Sequence, residues 1–178
     1  MTVSIRTALE RCATRRVGLA SLAGVAGLVW RGDRLGRLDL LDSRGWYTPE
    51  EAAALFDALD RLDANARLVY AATGLTIDMA FPIAYGLLFA ILLIRLFRAP
   101  VYLLPIALAA ADVLENLIVA APALGHDGAP SPLAWPAAAV TLVKTVLIAA
   151  TGAALAVGAA RWLRERLRRR PPPGPNRP

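Results

Sequence analysis

Hydrophobic residues gather along this chain in four runs, at residues 17–30, 68–94, 101–124 and 133–160, and charge concentrates between and beyond them. At about 1.5 Å of rise per residue, a helix needs roughly 20 residues to cross about 30 Å of hydrocarbon. The last three runs reach that length. The first is short and follows Arg11, Arg15 and Arg16, a layout shared by secretory leaders and short spans. The residues after Trp30 are Arg31, Gly32, Asp33 and Arg34, which offer no small-residue cleavage site, so the run reads as an uncleaved anchor. Arginines that snorkel to the interface extend its reach.

Between the first two runs the pattern changes. Thr48, Pro49 and Glu51 form a capping box with proline at the first helical position. Leu55, Phe56, Leu59 and Leu62 then recur on one face, with Asp57, Asp60 and Arg61 elsewhere around the helix. This predicts an amphipathic helix over about residues 49–65, seated at the membrane surface or across the end of the bundle. Past Trp162 the chain turns basic and then to Pro171, Pro172, Pro173 and Gly174, so residues 163–178 read as an extended, disordered tail. The expected fold is all-α: an integral membrane four-helix bundle in one domain, residues 1–162, with one external amphipathic helix.

Composition agrees with lipid as the solvent. The chain is 57% hydrophobic, with only 19% charged residues, too apolar for an ordinary soluble domain of this size. Its net charge of +6 reflects topology more than nucleic acid, because the arginines flank the apolar runs. The N-terminal stretch holds Arg6, Arg11, Arg15 and Arg16 against Glu10; the turn after the second run holds Arg95 and Arg98; the C-terminal stretch holds seven Arg against Glu165. These three segments read as cytoplasmic. Residues 31–67 carry six Arg against eight acids, and residues 125–132 carry Asp127 without a Lys or Arg, so both read as external. Four spans with both termini inside, in a bacterial cytoplasmic (inner) membrane, are the consequence. Cys12 is the only cysteine and forms no intramolecular disulfide.

Charged side chains in hydrocarbon cost at least about 2.5–3.5 kcal/mol each on insertion scales, so those within the runs need a reason. Asp78 lies in the second run, Asp112 and Glu115 in the third, and Lys144, the sole lysine, in the fourth. Asp112, Glu115 and Asn116 stand at i, i+3 and i+4, on one helical face. Counting residues from the ends of the runs puts Asp78 and Lys144 roughly 15 Å down from the outer side and Asp112 roughly 16 Å up from the inner side, with Glu115 one turn nearer the outer face, so the three helices bring their ionisable groups to one level. Pro82 deprives the Asp78 carbonyl of its helical donor, and Tyr85 returns to the Asp78 face two turns on. Asp78, Tyr85, Asp112, Glu115, Asn116 and Lys144 are therefore expected to form an intramembrane polar site. Ionised, the three acids and the lysine sum to −2, which a dry site disfavours without a further cation. Thr141, Thr145, Ala149 and Gly152 continue the Lys144 face and read as helix packing. His126 reads as a solvated loop residue. No metal site and no cofactor are expected, since the chain carries no second His, no phosphate loop and no nucleophilic triad.

The sequence Leu38, Asp39, Leu40, then Arg44 through Glu50, followed by Asp78, Phe81, Pro82 and Tyr85, Asp112, Glu115 and Asn116, and Thr141 and Lys144, resembles an uncharacterised family of small bacterial four-span integral membrane proteins. The resemblance implies the same four-helix plan and carries no activity with it. On the residues alone, the polar site serves a lipid or small ligand in the bundle, or a proton. The alternatives are an intramembrane enzyme acting on a lipid or isoprenoid, with one carboxyl as acid, another as base and Lys144 steadying negative charge, and a structural or assembly subunit whose polar cluster only fixes packing. The lipid bilayer is the expected partner; nucleic acid is not.

Overall fold

A computed structural model describes residues 40–41 and 44–168, and the first apolar run and the proline-rich tail lie outside the described residues. Five helices carry the fold: α1 (Pro49–Leu62), α2 (Ala66–Leu75), α3 (Ile77–Leu96), α4 (Leu103–Leu124) and α5 (Ala134–Arg168). A short 3₁₀ turn, Pro100–Tyr102, leads into α4. Helices α2 and α3 follow one another with a break at Thr76, whose hydroxyl donates back to the Ala72 carbonyl at 2.6 Å. Ala66–Leu96, Pro100–Leu124 and Ala134–Arg168 are three units long and apolar enough to cross a membrane.

The three units run up and down, with α4 in the middle and packed on both neighbours. Close approach explains two glycines. A Cβ at Gly86 would stand 2.8 Å from the Ala109 Cβ and 3.2 Å from the Pro105 carbonyl, which brings α3 and α4 nearly backbone to backbone. At Gly158 a Cβ would meet Leu96 and Phe97 at 2.8 Å, so α5 closes on the end of α3 in the same way.

Helix α1 begins as its sequence dictates. The Glu51 amide donates to the Thr48 hydroxyl at 3.3 Å and the Thr48 amide to the Glu51 carboxylate at 2.7 Å, both halves of the capping box. Leu55, Phe56 and Leu59 are buried in a cluster with Leu41, Tyr47 and Ala52, against Ala71 of α2, Val119 and Ala123 of α4, and Ala134, Ala137 and Ala138 of α5. The helix is thus a lid across one end of the bundle. Leu62 departs from the expected stripe and is 67% exposed, because the last turn of α1 overhangs a cavity instead of packed side chains.

Two further expectations need correction. The helix of the fourth apolar run does not stop at Trp162 but continues to Arg168, where Arg, Leu and Glu are good helix formers and the Arg166 guanidinium lies 4.4 Å from the Trp162 ring centre. His126 is not solvated. Its side chain is 3% exposed, its Nε2 lies 2.8 Å from Asp57 of α1, and its ring meets Phe56 edge-on. The Arg67 guanidinium donates to the His126 carbonyl at 2.6 Å and to Asp60 at 3.1 Å, so the α4–α5 loop, α1 and α2 are tied together at the lid.

Candidate functional site: an intramembrane polar network beside a cavity

Helices α3, α4 and α5 each contribute to one polar network. Spacing alone puts Asp112 and Glu115 on the same face of α4, one turn apart. Lys144 comes to that face from α5, donates to Asp112 Oδ1 at 3.3 Å and forms an ion pair with Glu115 Oε2, bridging the two acids. Tyr85 of α3 donates to Asp112 Oδ2 at 2.8 Å. Phe81 and Phe89, one turn to either side, hold its ring by aromatic contacts at 5.1 and 5.9 Å. Thr141 Oγ1 lies 2.6 Å from Glu115 Oε1 and 3.1 Å from its own helix carbonyl of Ala137, and its single proton serves the nearer carboxylate. All four carboxylate oxygens of Asp112 and Glu115 therefore have partners.

The network is dry. Glu115 is 1% exposed and Thr141 fully buried, and Tyr85 and Lys144 are buried with them. A charge in such a place persists only when paired and hydrogen-bonded. Lys144 meets that condition for both acids at once.

Asn116 and Asp78 take a different place. The Asn116 amide donates to the Asp78 carbonyl at 3.3 Å, the carbonyl four residues before Pro82 that has no helical donor. This leaves the Asn116 amide oxygen as an acceptor. Asp78 itself is exposed and borders a cavity of about 360 Å³ that opens between the end of α1, α2 and α4. Leu59, Val69, Val119 and Ala120 form apolar walls; Asp78, Glu115 and Asn116 supply polar groups; Leu62 overhangs. Glu115 alone borders the cavity and also binds Lys144, so it joins the two halves of the site.

Of the six residues named from the sequence, Tyr85, Asp112, Glu115 and Lys144 form one hydrogen-bonded network, and Asn116 and Asp78 line the cavity beside it. Sequence reasoning left Thr141 to helix packing, although it stands three residues before Lys144 and so on the same face. The cavity itself had no sequence signal. Gly74 lines it, and a Cβ there would meet no heavy atom of the described residues within 4 Å. Among the described residues no three His, Cys, Asp or Glu side chains are placed to hold a metal ion. No family model, curated protein or solved structure matches this chain, so the site is read from its own geometry.

Proposed function

We propose that the chain is a multi-pass protein of the bacterial inner membrane that holds a small ligand in the cavity reaching Glu115 and Asn116. Its surface supports the membrane part of this reading. The outward faces of the long helices are apolar, with Ile83 66% and Val146 60% exposed, while Glu115, Thr141 and Lys144 are buried. That inversion suits hydrocarbon as the solvent. With the first apolar run as a fourth span, the arginine alternation sets both termini in the cytoplasm and the lid helix outside. Reporter fusions at the C-terminus and within residues 44–47 should report cytoplasmic and external positions; a C-terminus outside would overturn the four-span count.

The observation that carries the ligand reading is the cavity, whose apolar walls end on polar groups from two helices, the usual form of a small-molecule site. Gly74→Leu tests it by filling open space. Chain purified from its native membranes should retain a compound, seen in mass spectra of solvent extracts, that the filled variant loses. Identical extracts from the two proteins, both folded, would overturn the reading. A structural role has one observation in its favour, the complete pairing of Asp112 and Glu115, which suffices to hold three helices in register. Under that role alone, the cavity would stay empty in both extracts.

A further inference from the structure

We infer that the protruding end of α5 is a docking surface for anionic phospholipid headgroups at the inner face of the membrane. The inference rests on the membrane reading above and adds a partner class at a second place, away from the cavity. From Trp135 to Trp162 the rise of α5 is about 40 Å, close to the roughly 40–45 Å of a bilayer with its headgroups. Both tryptophans are half exposed, as side chains of the two interfacial belts are. The helix does not end there but continues to Arg168. Its last two turns therefore begin among headgroups and extend past them.

These turns are two-sided. Arg161, Arg164 and Arg168 stand at i, i+3 and i+7 on one face, and Leu163 and Leu167 at i and i+4 on another; all five are exposed. Among the described residues Arg161, Arg164 and Arg168 enter no ion pair, and Glu165, the one acid on this end, pairs with none of them. The chain that follows brings more positive charge, since residues 161–178 hold seven Arg against Glu165. Arginines left unpaired by the fold and set at headgroup level take their counter-ions from lipid phosphates, whose oxygens a guanidinium fork can engage two at a time. Leu163 and Leu167 suit the acyl chains of the same lipids, because an amphipathic helical surface settles at the boundary between headgroups and chains. A nucleic acid would neutralise the arginines but leave the two leucines and Trp162 in water.

The test places the full chain in nanodiscs of phosphatidylcholine with one-fifth phosphatidylglycerol. Bromine on the acyl chains is carried either by the phosphatidylglycerol or by an equal amount of the phosphatidylcholine. Trp162 is the fluorescent reporter, made the sole tryptophan by Trp30→Phe, Trp46→Phe and Trp135→Phe; a chain that keeps only Trp135 is the control. An arginine near an anionic surface is worth about fivefold in affinity. Trp162 should thus be quenched severalfold more by the brominated anionic lipid, and Trp135 equally by both. Arg161→Gln, Arg164→Gln and Arg168→Gln together should remove the preference at Trp162 without moving the unfolding temperature, because the three side chains are exposed. Equal quenching of Trp162 by the two lipids, or a preference of the same size at Trp135, would overturn the inference and leave the membrane reading intact. A preference that survives the triple substitution would also overturn it. Release of the quenching by a short single-stranded oligonucleotide at physiological salt would replace the lipid with nucleic acid as the partner. Quenching of neither tryptophan by either lipid would overturn the membrane reading itself.

Discussion

The lid and the mid-bundle network both join several helices, yet they do so with opposite materials. At the lid, Leu55, Phe56 and Leu59 supply the burial, and the polar ties Arg67–Asp60 and His126–Asp57 each include a partly exposed partner. At mid-bundle the polar groups themselves are the core, and apolar side chains face outward. Burial decides how much each polar contact matters. A pair reached by solvent is screened and contributes little, whereas a pair sealed from solvent cannot lose one member without stranding the other. Single substitutions should therefore act strongly at mid-bundle and be graded at the lid.

The largest effect is expected at Lys144. Lys144→Ala removes the cation shared by Asp112 and Glu115 and should destabilise the chain by about 3–5 kcal/mol in detergent. Combining it with Glu115→Gln should recover part of that loss, because removing a buried pair is milder than halving it. Unfolding of the two single variants and the double variant measures the coupling. Additivity within about 0.5 kcal/mol would mean that the groups do not interact and would break the contrast with the lid.

Next in size is Leu55→Ala at the lid, expected to cost about 2–3 kcal/mol for a buried leucine that leaves a void. Loss of the lid should also loosen α1 without separating α3, α4 and α5. Hydrogen exchange can check this: amides of α1 should speed up while those around Glu115 keep their protection. Equal acceleration in both regions would show that the lid and network unfold as one unit.

The same contrast explains which parts were legible in the sequence. Local chemistry was readable: the capping box of α1 lies within four residues, and the i, i+3, i+4 placement of Asp112, Glu115 and Asn116 fixes their common face. The consequence of Pro82 was also readable as a carbonyl without a helical donor, although not that Asn116 would supply one. Features set by how distant segments meet were not. His126 and Asp57 lie 69 residues apart, and nothing near either one announces that the loop folds under Phe56. Leu62 followed the apolar stripe perfectly, but a cavity lay where its partner would have been. The break at Thr76 interrupts an apolar run that shows no change of period there.

A smaller effect is expected at the start of the lid. Thr48→Ala removes the side-chain half of the capping box and leaves the Glu51 amide without that acceptor, for a loss of about 1 kcal/mol. Thr48→Asp keeps an acceptor oxygen and should retain most of the stability. A loss from Thr48→Ala as large as that from Leu55→Ala would mean that capping, not burial, holds the lid.

The smallest effect should belong to the ion pair between Arg67 and Asp60. Their nitrogen and oxygen are 3.1 Å apart, but the side chains are 23% and 38% exposed, so water and salt weaken the attraction. A cycle built from Arg67→Gln, Asp60→Asn and the double variant should give a coupling of about 0.2–1 kcal/mol that shrinks as salt is raised. Arg67→Gln alone should cost more than this coupling, because the guanidinium also donates to the His126 carbonyl, a contact that does not involve Asp60. The excess over the coupling is thus a measure of the tie between α2 and the α4–α5 loop. A salt-independent coupling of the size found at Lys144 would place a sealed ion pair at the lid, and burial would no longer separate the two regions.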